Sequence, residues 1–382
     1  MLFRQIPGQQ DIKDKLIQTV ADGRVSHAQL FLGPEGCGKL ALALAYAQYI
    51  NCSNRTQQDS CDACPSCIQF RQLAHPDLHF LYPINTTKAF KKPVSKNFIH
   101  KWREYILENE YFPLLAGWYE KIGIEKKQGV IRADDARETI KSLGLKSYES
   151  EYKIMVIWMA EKLHHTVAPR FLKILEEPPD KTLFLLIAEA QEQIIPTILS
   201  RTQIIKVPRI EDQVLHDTLI TRMGCPEEEA SNAVNIAHGN YIRARTYIRD
   251  AGTYSANMVL FRDWMRICYR KDFKGLDKFI SKASGMTRDE LKDFFQYALG
   301  VVRNELLLHY ENESLLRTSV DENNFLLKFS PFMNTANIHH FNDVFNHAFH
   351  SIERNANASI TLMDLSLKSI RLMAMKPVGT AG

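Results

Sequence analysis

Residues 33–40 read Gly-Pro-Glu-Gly-Cys-Gly-Lys-Leu, the G-x-x-x-x-G-K spacing of a loop that cradles nucleotide phosphates. In such a loop, backbone N–H groups and the first helical turn surround the phosphates and the lysine reaches the outer ones. A Ser or Thr after the lysine completes the shell of a magnesium ion. Gly33, Gly36, Cys37, Gly38 and Lys39 supply the cradle, but Leu40 stands where the hydroxyl belongs. A hydrocarbon cannot ligate a metal, so phosphate binding and metal-dependent hydrolysis are separated at this position.

A second constellation follows closely. Cys52, Cys61, Cys64 and Cys67 fall in a C-x8-C-x2-C-x2-C pattern. The short spacings set thiolates on turns near enough to share one tetrahedral ion, and Asp59, Ser60 and Pro65 supply turn chemistry. Four thiolates close the shell, so a structural zinc ion is expected rather than a catalytic one; four free thiols are the alternative. Cys37, Cys225 and Cys268 read as small buried apolar residues.

These groups need elements to position them. Ala28–Leu32 reads as a short strand entering the glycine loop, and 39–49 carries the Ala/Leu pattern of a helix, which is the context the loop requires. Lys153–Trp158, Leu183–Ile187 and Gln203–Val207 are further strand-length apolar runs, and a helix between the first two stops at Glu177-Pro178-Pro179. Apolar strands interleaved with helices predict a mostly parallel sheet covered on both faces, a three-layer α/β fold. After Pro208 the pattern turns helical, with helices expected over Asp212–Met223, Glu227–His238 and Tyr241–Arg249, a break at Gly239-Asn240, and amphipathic helices from Met258 to Met375. The histidines there lack ligand spacing.

Residues 85–128 fit the alternation poorly. They are rich in lysine and aromatics, among them Phe90, Lys91, Lys92, Lys96, Trp102, Tyr105, Phe112 and Trp118. Two readings are open: a stacking surface for single-stranded nucleic acid, or a helical insertion that packs its rings against the main domain.

The 382 residues, 45% hydrophobic and 24% charged with a formal charge of +4, describe a folded chain of two or three domains. The charge is too small to identify a nucleic-acid binder by its total. No apolar run long enough to span a membrane and no basic-then-apolar leader occurs, so a cytoplasmic location is expected.

Together the motifs resemble the AAA+ clamp-loader subunits of bacterial DNA polymerase III. The resemblance rests on Ile6-Pro7-Gly8-Gln9, Ser26-His27-Ala28, the loop through Lys39, the four-cysteine module, His75-Pro76-Asp77, the run Leu172 to Pro179 and Thr197-Ile198-Leu199-Ser200-Arg201, in the family's order over the first 210 residues. It implies an AAA+ P-loop domain over 1–208 with a zinc module at 52–67 and an insertion at about 85–128. A small helical lid (209–252) and an all-α collar for oligomerisation (253–382) would follow.

The implied partners are the gamma/tau and delta subunits in a five-membered ring, the sliding clamp, and primer-template DNA reached through the complex. In hydrolysing members of the family, the strand before the Leu-Glu-Glu-Pro-Pro helix ends in Asp-Glu. Here Trp158 and Met159 stand there, and neither can bind a hard cation or accept a proton. Ala188 and Glu189 leave the polar tip of the next strand unclear, and Arg243 falls one place beyond the family's phosphate-sensing arginine. Glu161 lies past the strand end.

Arg201 nevertheless matches the family's Ser-Arg-Cys finger, which reaches the nucleotide of a neighbouring subunit, with Thr202 in place of the cysteine. The resemblance therefore implies a non-hydrolysing stator that acts in trans, with a hydrolysing loader subunit as the alternative. Two readings of the loop also remain open. Its amides hold ATP or ADP without metal, or its glycines merely keep a turn while Lys39 pairs with a carboxylate.

Overall fold

The computed structural model describes residues 1–125, 127–143, 149–249, 251–309, 318, 320–354 and 356–375. These residues form two compact units: Met1–Gly224 with Gly239–Arg243, and Cys225–His238 with the chain from Ala244 onward.

The first unit is built on five parallel strands in the order β2-β3-β4-β1-β5: β1 (Ala28–Leu32), β2 (Leu78–Leu81), β3 (Lys153–Trp158), β4 (Thr182–Ala188) and β5 (Gln203–Lys206). Each residue of β1, β3 and β4 is buried, as continuous apolar runs demand when both faces of a sheet are covered. Helix α1 (Gln10–Ala21) precedes β1, and α2 (Lys39–Ile50) follows it and packs on β1, β3 and β4. All twelve α2 residues are buried, so its Ala/Leu composition serves packing on every side. The module after it contains α3 (Pro65–Arg71).

Across the sheet, Ala28, Leu30, Met155, Ile157, Phe184 and Leu186 form one core with residues of α6 (Ala133–Leu143), α7 (Ala168–Glu176) and α8 (Pro196–Leu199). Helix α7 ends at Glu176 because Pro178 and Pro179 lack N–H donors and bias the preceding residue away from helix. The mixed α/β fold with a parallel sheet is thus as the apolar runs predict. Strand β2 is an addition: it lies in a stretch the sequence pattern leaves unassigned. The buried Asp77 positions this edge by accepting from the Glu149 and Ser150 N–H groups at 3.0 Å each.

The 85–128 insertion has a closed neck, since Ile84 and Val130 exchange backbone hydrogen bonds of 3.4 and 3.0 Å. Its helices α4 (Ile99–Glu108) and α5 (Leu115–Ile122) deliver Trp102 and Trp118, both fully buried, onto Tyr82. Of the two readings of the aromatics, packing accounts for most of them; Phe90 stays on the surface. Helix α9 (Asp212–Met223) completes this unit together with the first residues of α11 (Tyr241–Arg249).

The second unit is helical: α10 (Glu227–Ala237), α12 (Ala251–Arg270), α13 (Phe273–Ala283), α14 (Arg288–His309), α15 (Val320–Phe329), α16 (Ile338–Glu353) and α17 (Ala358–Met373). Its core gathers Phe261, Trp264, Phe279, Phe294, Phe341 and Phe345. The one polar atom of the Trp264 ring is satisfied by the Ser366 hydroxyl at 2.9 Å. Among the described residues no helix is long and apolar enough to cross a membrane.

Glu305 of α14 is fully buried, and neither carboxylate oxygen has a hydrogen-bond partner among the described residues. Burial pushes its carboxyl up to about 8 from an ordinary value near 4.5, against a smaller opposing pull from Ser330. A group whose folded pKa is raised favours the fold below its unfolded pKa and withdraws that support as pH climbs through the folded one. Glu305→Gln, which cannot ionise, is therefore expected to melt close to wild type at pH 5 and increasingly above it up to pH 8–9. Parallel melting curves for the two proteins across that range would rule out an uncompensated carboxylate.

Candidate functional site

Gly36 and Gly38 have φ of +73° and +91°, values that only glycine adopts without strain, and Gly38 caps α2. What fills the cradle comes from the chain itself. Asn240 caps α11, its Oδ1 accepting the Ile242 and Arg243 N–H groups at 2.9 and 3.1 Å, while its Nδ2 donates to Glu35 of the loop at 3.2 Å. The Tyr241 N–H donates to the Gly36 carbonyl at 3.1 Å. Asn240 comes so close that a Cβ on Gly36 would lie 1.8 Å from its Oδ1.

The insertion reaches the same place through the turn at Glu110 and Tyr111. Phe112 lies against Gly38 and packs on the Tyr241 ring with centroids 4.7 Å apart, and the Tyr241 hydroxyl donates to Glu110 at 2.9 Å.

Lys39 is buried and turned back on its own loop. Its Nζ donates to the carbonyls of Gly33 and Pro34 at 2.7 and 2.6 Å and pairs with Glu189 at 3.4 Å. Leu40 is buried in the adjacent packing. The free space between Gly36, Lys39, Phe112, Trp158 and Glu189 amounts to about 20 Å³, far below the 300 Å³ or more typical of a small-molecule site. Of the two readings of the loop, this arrangement favours the one in which Lys39 pairs with a carboxylate. Side chains present in this form do not fit a magnesium nucleotide.

Beyond the loop, Trp158 ends β3 where a metal-binding aspartate would stand, and its ring packs on Trp102 with centroids 5.1 Å apart. Met159 follows with φ of +58° and is buried. Glu161 is spent on structure: one carboxylate oxygen accepts the Glu189 N–H at 3.0 Å, and burial raises its carboxyl above the usual range. Ala188 is buried at the end of β4, and Glu189 just past it reaches Lys39. Arg243 is exposed. Cys37, Cys225 and Cys268 are buried thiols, all pushed up by burial and Cys268 to about 12, as their apolar reading expects.

Arg201, by contrast, is about a third exposed. Its Nε donates to Glu176 at 2.7 Å, a second guanidinium nitrogen also meets that carboxylate, and Nη1 donates to the Thr197 carbonyl at 3.0 Å. The run Leu-Glu-Glu-Pro-Pro thus supplies the internal partner of the arginine. That pairing, the Asn240 plug and the Phe112 cover are not readable from the motifs, although Asn after Gly at a helix start is an N-cap signal.

The four sulfurs of Cys52, Cys61, Cys64 and Cys67 lie within 4.8 Å of one another, with Cys52–Cys61 at 3.5 Å and Cys61–Cys67 at 3.9 Å. Zinc–sulfur bonds of about 2.3 Å in a tetrahedron place sulfurs about 3.8 Å apart, so the cluster fits such an ion. Backbone N–H groups of Cys61, Cys64 and Cys67 point at the Cys52, Cys61 and Cys64 sulfurs at 3.3–3.5 Å, stabilising thiolate. Burial opposes ionisation of Cys64, yet these hydrogen bonds and the neighbouring thiols prevail and bring it down to about 6. Burial holds Cys67 well above the ordinary thiol range.

Comparison with known proteins bears on the same residues. The DNA polymerase III subunit delta' of Bacillus subtilis is 27% identical over 205 residues, 54% of this chain and 49% of that protein. The subunit delta' of Haemophilus influenzae is 24% identical over 260 residues, 68% of this chain and 66% of that one. The DNA polymerase III subunit gamma/tau of Mycobacterium bovis is 26% identical over 200 residues, 52% of this chain and 27% of that protein. The chain thus spans about a quarter to two thirds of these relatives. A family model described as DNA polymerase III, delta subunit, matches residues 8–211, which include the glycine loop, the cysteine cluster and Arg201, and with more than half of its length so matched the chain belongs to that family.

Proposed function

We propose that this chain is a non-hydrolysing structural subunit, a stator, of the DNA polymerase III clamp loader. It supplies Arg201 in trans to a neighbouring gamma/tau-type ATPase and helps load a sliding clamp on primed DNA. The observation that carries this reading is the contrast in burial between two cations: Lys39 is buried and bonded to its own loop, while Arg201 is about a third exposed, held by Glu176, the Thr197 carbonyl and the Ser200 hydroxyl. A buried lysine with three oxygen partners has no capacity left for phosphates. A surface guanidinium can trade one carboxylate for a γ-phosphate, and a finger of this kind is worth about 10³–10⁵ in rate in other phosphoryl transfers.

The domain reading assigns 1–208 to the AAA+ part, 209–252 to a lid and 253–382 to a collar that joins the ring. The separate aromatic core of α12 to α17 supports an independently folded C-terminal part. DNA, the clamp and the delta subunit are reached through the complex, in the cytoplasm. The hydrolysing alternative needs magnesium beside Lys39, where Leu40 and Trp158 offer no oxygen and the Glu189 carboxylate lining the same space is paired with Lys39. The cysteine cluster is assigned a structural zinc ion, since four sulfurs leave no position open for substrate. That ion would join the loop carrying Asp59, whose carboxylate accepts the Phe3 and Arg4 N–H groups at 3.1 and 3.0 Å.

In a complex reconstituted with its gamma/tau-type partner, Arg201→Ala should lower DNA-stimulated ATP turnover by about 10³-fold with assembly intact, the lower end of the range for arginine fingers. Turnover at the wild-type rate would remove the finger. Lys39→Ala should leave that turnover unchanged, and ATP hydrolysis by the isolated chain, abolished in the same variant, would instead establish the hydrolysing alternative. Elemental analysis of the purified chain should find about one zinc per molecule. Cys61→Ser with Cys64→Ser should lose it and melt earlier, whereas a metal-free wild type indifferent to chelators would exclude the ion.

A further inference from the structure

We propose that the exposed basic face of the insertion, from Lys88 to Lys101 with Phe90 at its centre, is a docking site for single-stranded DNA. From Leu78 to Arg103 the chain contains no Asp or Glu, yet it carries Lys88, Lys91, Lys92, Lys96, Lys101 and Arg103. The five lysines are exposed, whereas Arg103 is spent on the Leu73 carbonyl at 2.8 Å. Lys88, Lys91, Lys92 and Lys96 have no carboxylate partner among the described residues. The carboxylates that begin again at Glu104 and Glu108 are drawn to Lys121, each at 3.1 Å. An overall charge of +4 hides this concentration, which is the local clustering that marks a phosphate-binding surface.

The aromatic component is built rather than incidental. Trp102, Trp118 and Tyr105 are consumed by packing, but Phe90 remains 37% exposed. The turn carrying it is closed twice, by the Thr87 N–H donating to the Phe90 carbonyl at 3.0 Å and by the Phe90 N–H donating to the Thr87 hydroxyl at 3.1 Å. Phe98 backs the ring edge-on with centroids 5.4 Å apart.

Lys88, Phe90, Phe98, His100, Lys101 and Ile122 line an open cleft of about 550 Å³. A held aromatic ring beside a cleft lined by Lys88 and Lys101, the latter donating to the Lys121 carbonyl at 3.3 Å, with Lys91, Lys92 and Lys96 exposed on the same stretch of chain, suits a strand whose bases stack while its phosphates meet point charges. An acidic peptide would be better held by the bidentate forks of arginine, which this face lacks. The choice of DNA among nucleic acids rests on the replication role proposed above; the stacking and phosphate contacts do not.

The test uses the full chain and a fluorescein-labelled oligothymidine, followed by anisotropy over a salt series. Each phosphate contact to a single strand contributes about 0.7 to the slope of log K against log salt, so Lys88→Gln, Lys91→Gln and Lys92→Gln together should reduce the slope by about 2. Phe90→Ala should weaken binding about tenfold with little change in slope, the size expected for one lost stack. All four side chains are exposed, so unchanged melting is expected to accompany the loss.

Absence of binding by wild type, or an affinity and slope indifferent to the lysines, overturns the site. Displacement of the oligonucleotide by polyglutamate as readily as by unlabelled DNA, with Phe90→Ala silent, overturns the DNA assignment in favour of a generic polyanion surface. Co-assembly with gamma/tau-type subunits is scored on the same proteins and separates the two readings. A wild type that fails to assemble yet binds DNA through these residues overturns the loader role and leaves this site standing. Assembly with no DNA binding overturns this site alone.

Discussion

The contact between Trp158 and Trp102 fastens the insertion to the tip of β3, beside the glycine loop. In a hydrolysing loop of this class the end of the corresponding strand must keep a hydrated carboxylate beside the phosphates. An indole there does the opposite, excluding water and offering a flat face to pack on. Trp102 packs on it at a tilt from α4, Tyr82 stacks on Trp102 and Trp118 meets Trp102 edge-on, each such pair adding about 0.5–1.5 kcal/mol beyond its buried area. With its helices fastened to the tip of β3, the insertion sends Phe112 across Gly38. Trp158 is thus the anchor of the insertion whose Phe112 lies against Gly38.

Lys39 belongs to the same balance. A lysine left in an emptied phosphate loop would be a buried cation without a counter-charge, which is costly. Here the two loop carbonyls and Glu189 take the place of phosphate oxygens. Glu189 is steadied in turn by its backbone N–H on Glu161. Glu161 therefore serves to hold the partner of the lysine.

Much of this was legible in the chain. The parallel sheet followed from β-length apolar runs separated by helical pattern, the end of α7 from the paired prolines, and the metal-type cluster from two consecutive C-x2-C spacings. Strand β2 was not legible because Leu78–Leu81 is short and sits beside an insertion that breaks the alternation, and what fixes it is a buried aspartate contact to residues more than seventy positions later. The plug was hidden for a related reason. Asn240 and Glu35 are 205 positions apart, and neither residue type announces a phosphate mimic. Sequence spacing displays what lies on one element; it does not display which distant side chain fills a space that a motif outlines.

The same distinction separates the permanent parts of the molecule from the exchangeable ones. Asn240 and Lys39 are buried and each held by several hydrogen bonds, so displacing either leaves partners unpaired, and Phe112 packs beside them on Gly38 and Tyr241. Arg201 and Glu176 form a partly exposed ion pair, a type worth about 0–1 kcal/mol, supplemented by the Thr197 carbonyl and the Ser200 hydroxyl, and Lys88, Lys91, Lys92 and Lys96 have no acidic partner among the described residues. Groups held so weakly can be redirected by a ligand of higher charge at little expense to the fold. The tightly bonded polar groups thus gather at the glycine loop, while the partly exposed Arg201 and the exposed lysines beside Phe90 lie elsewhere on the same unit.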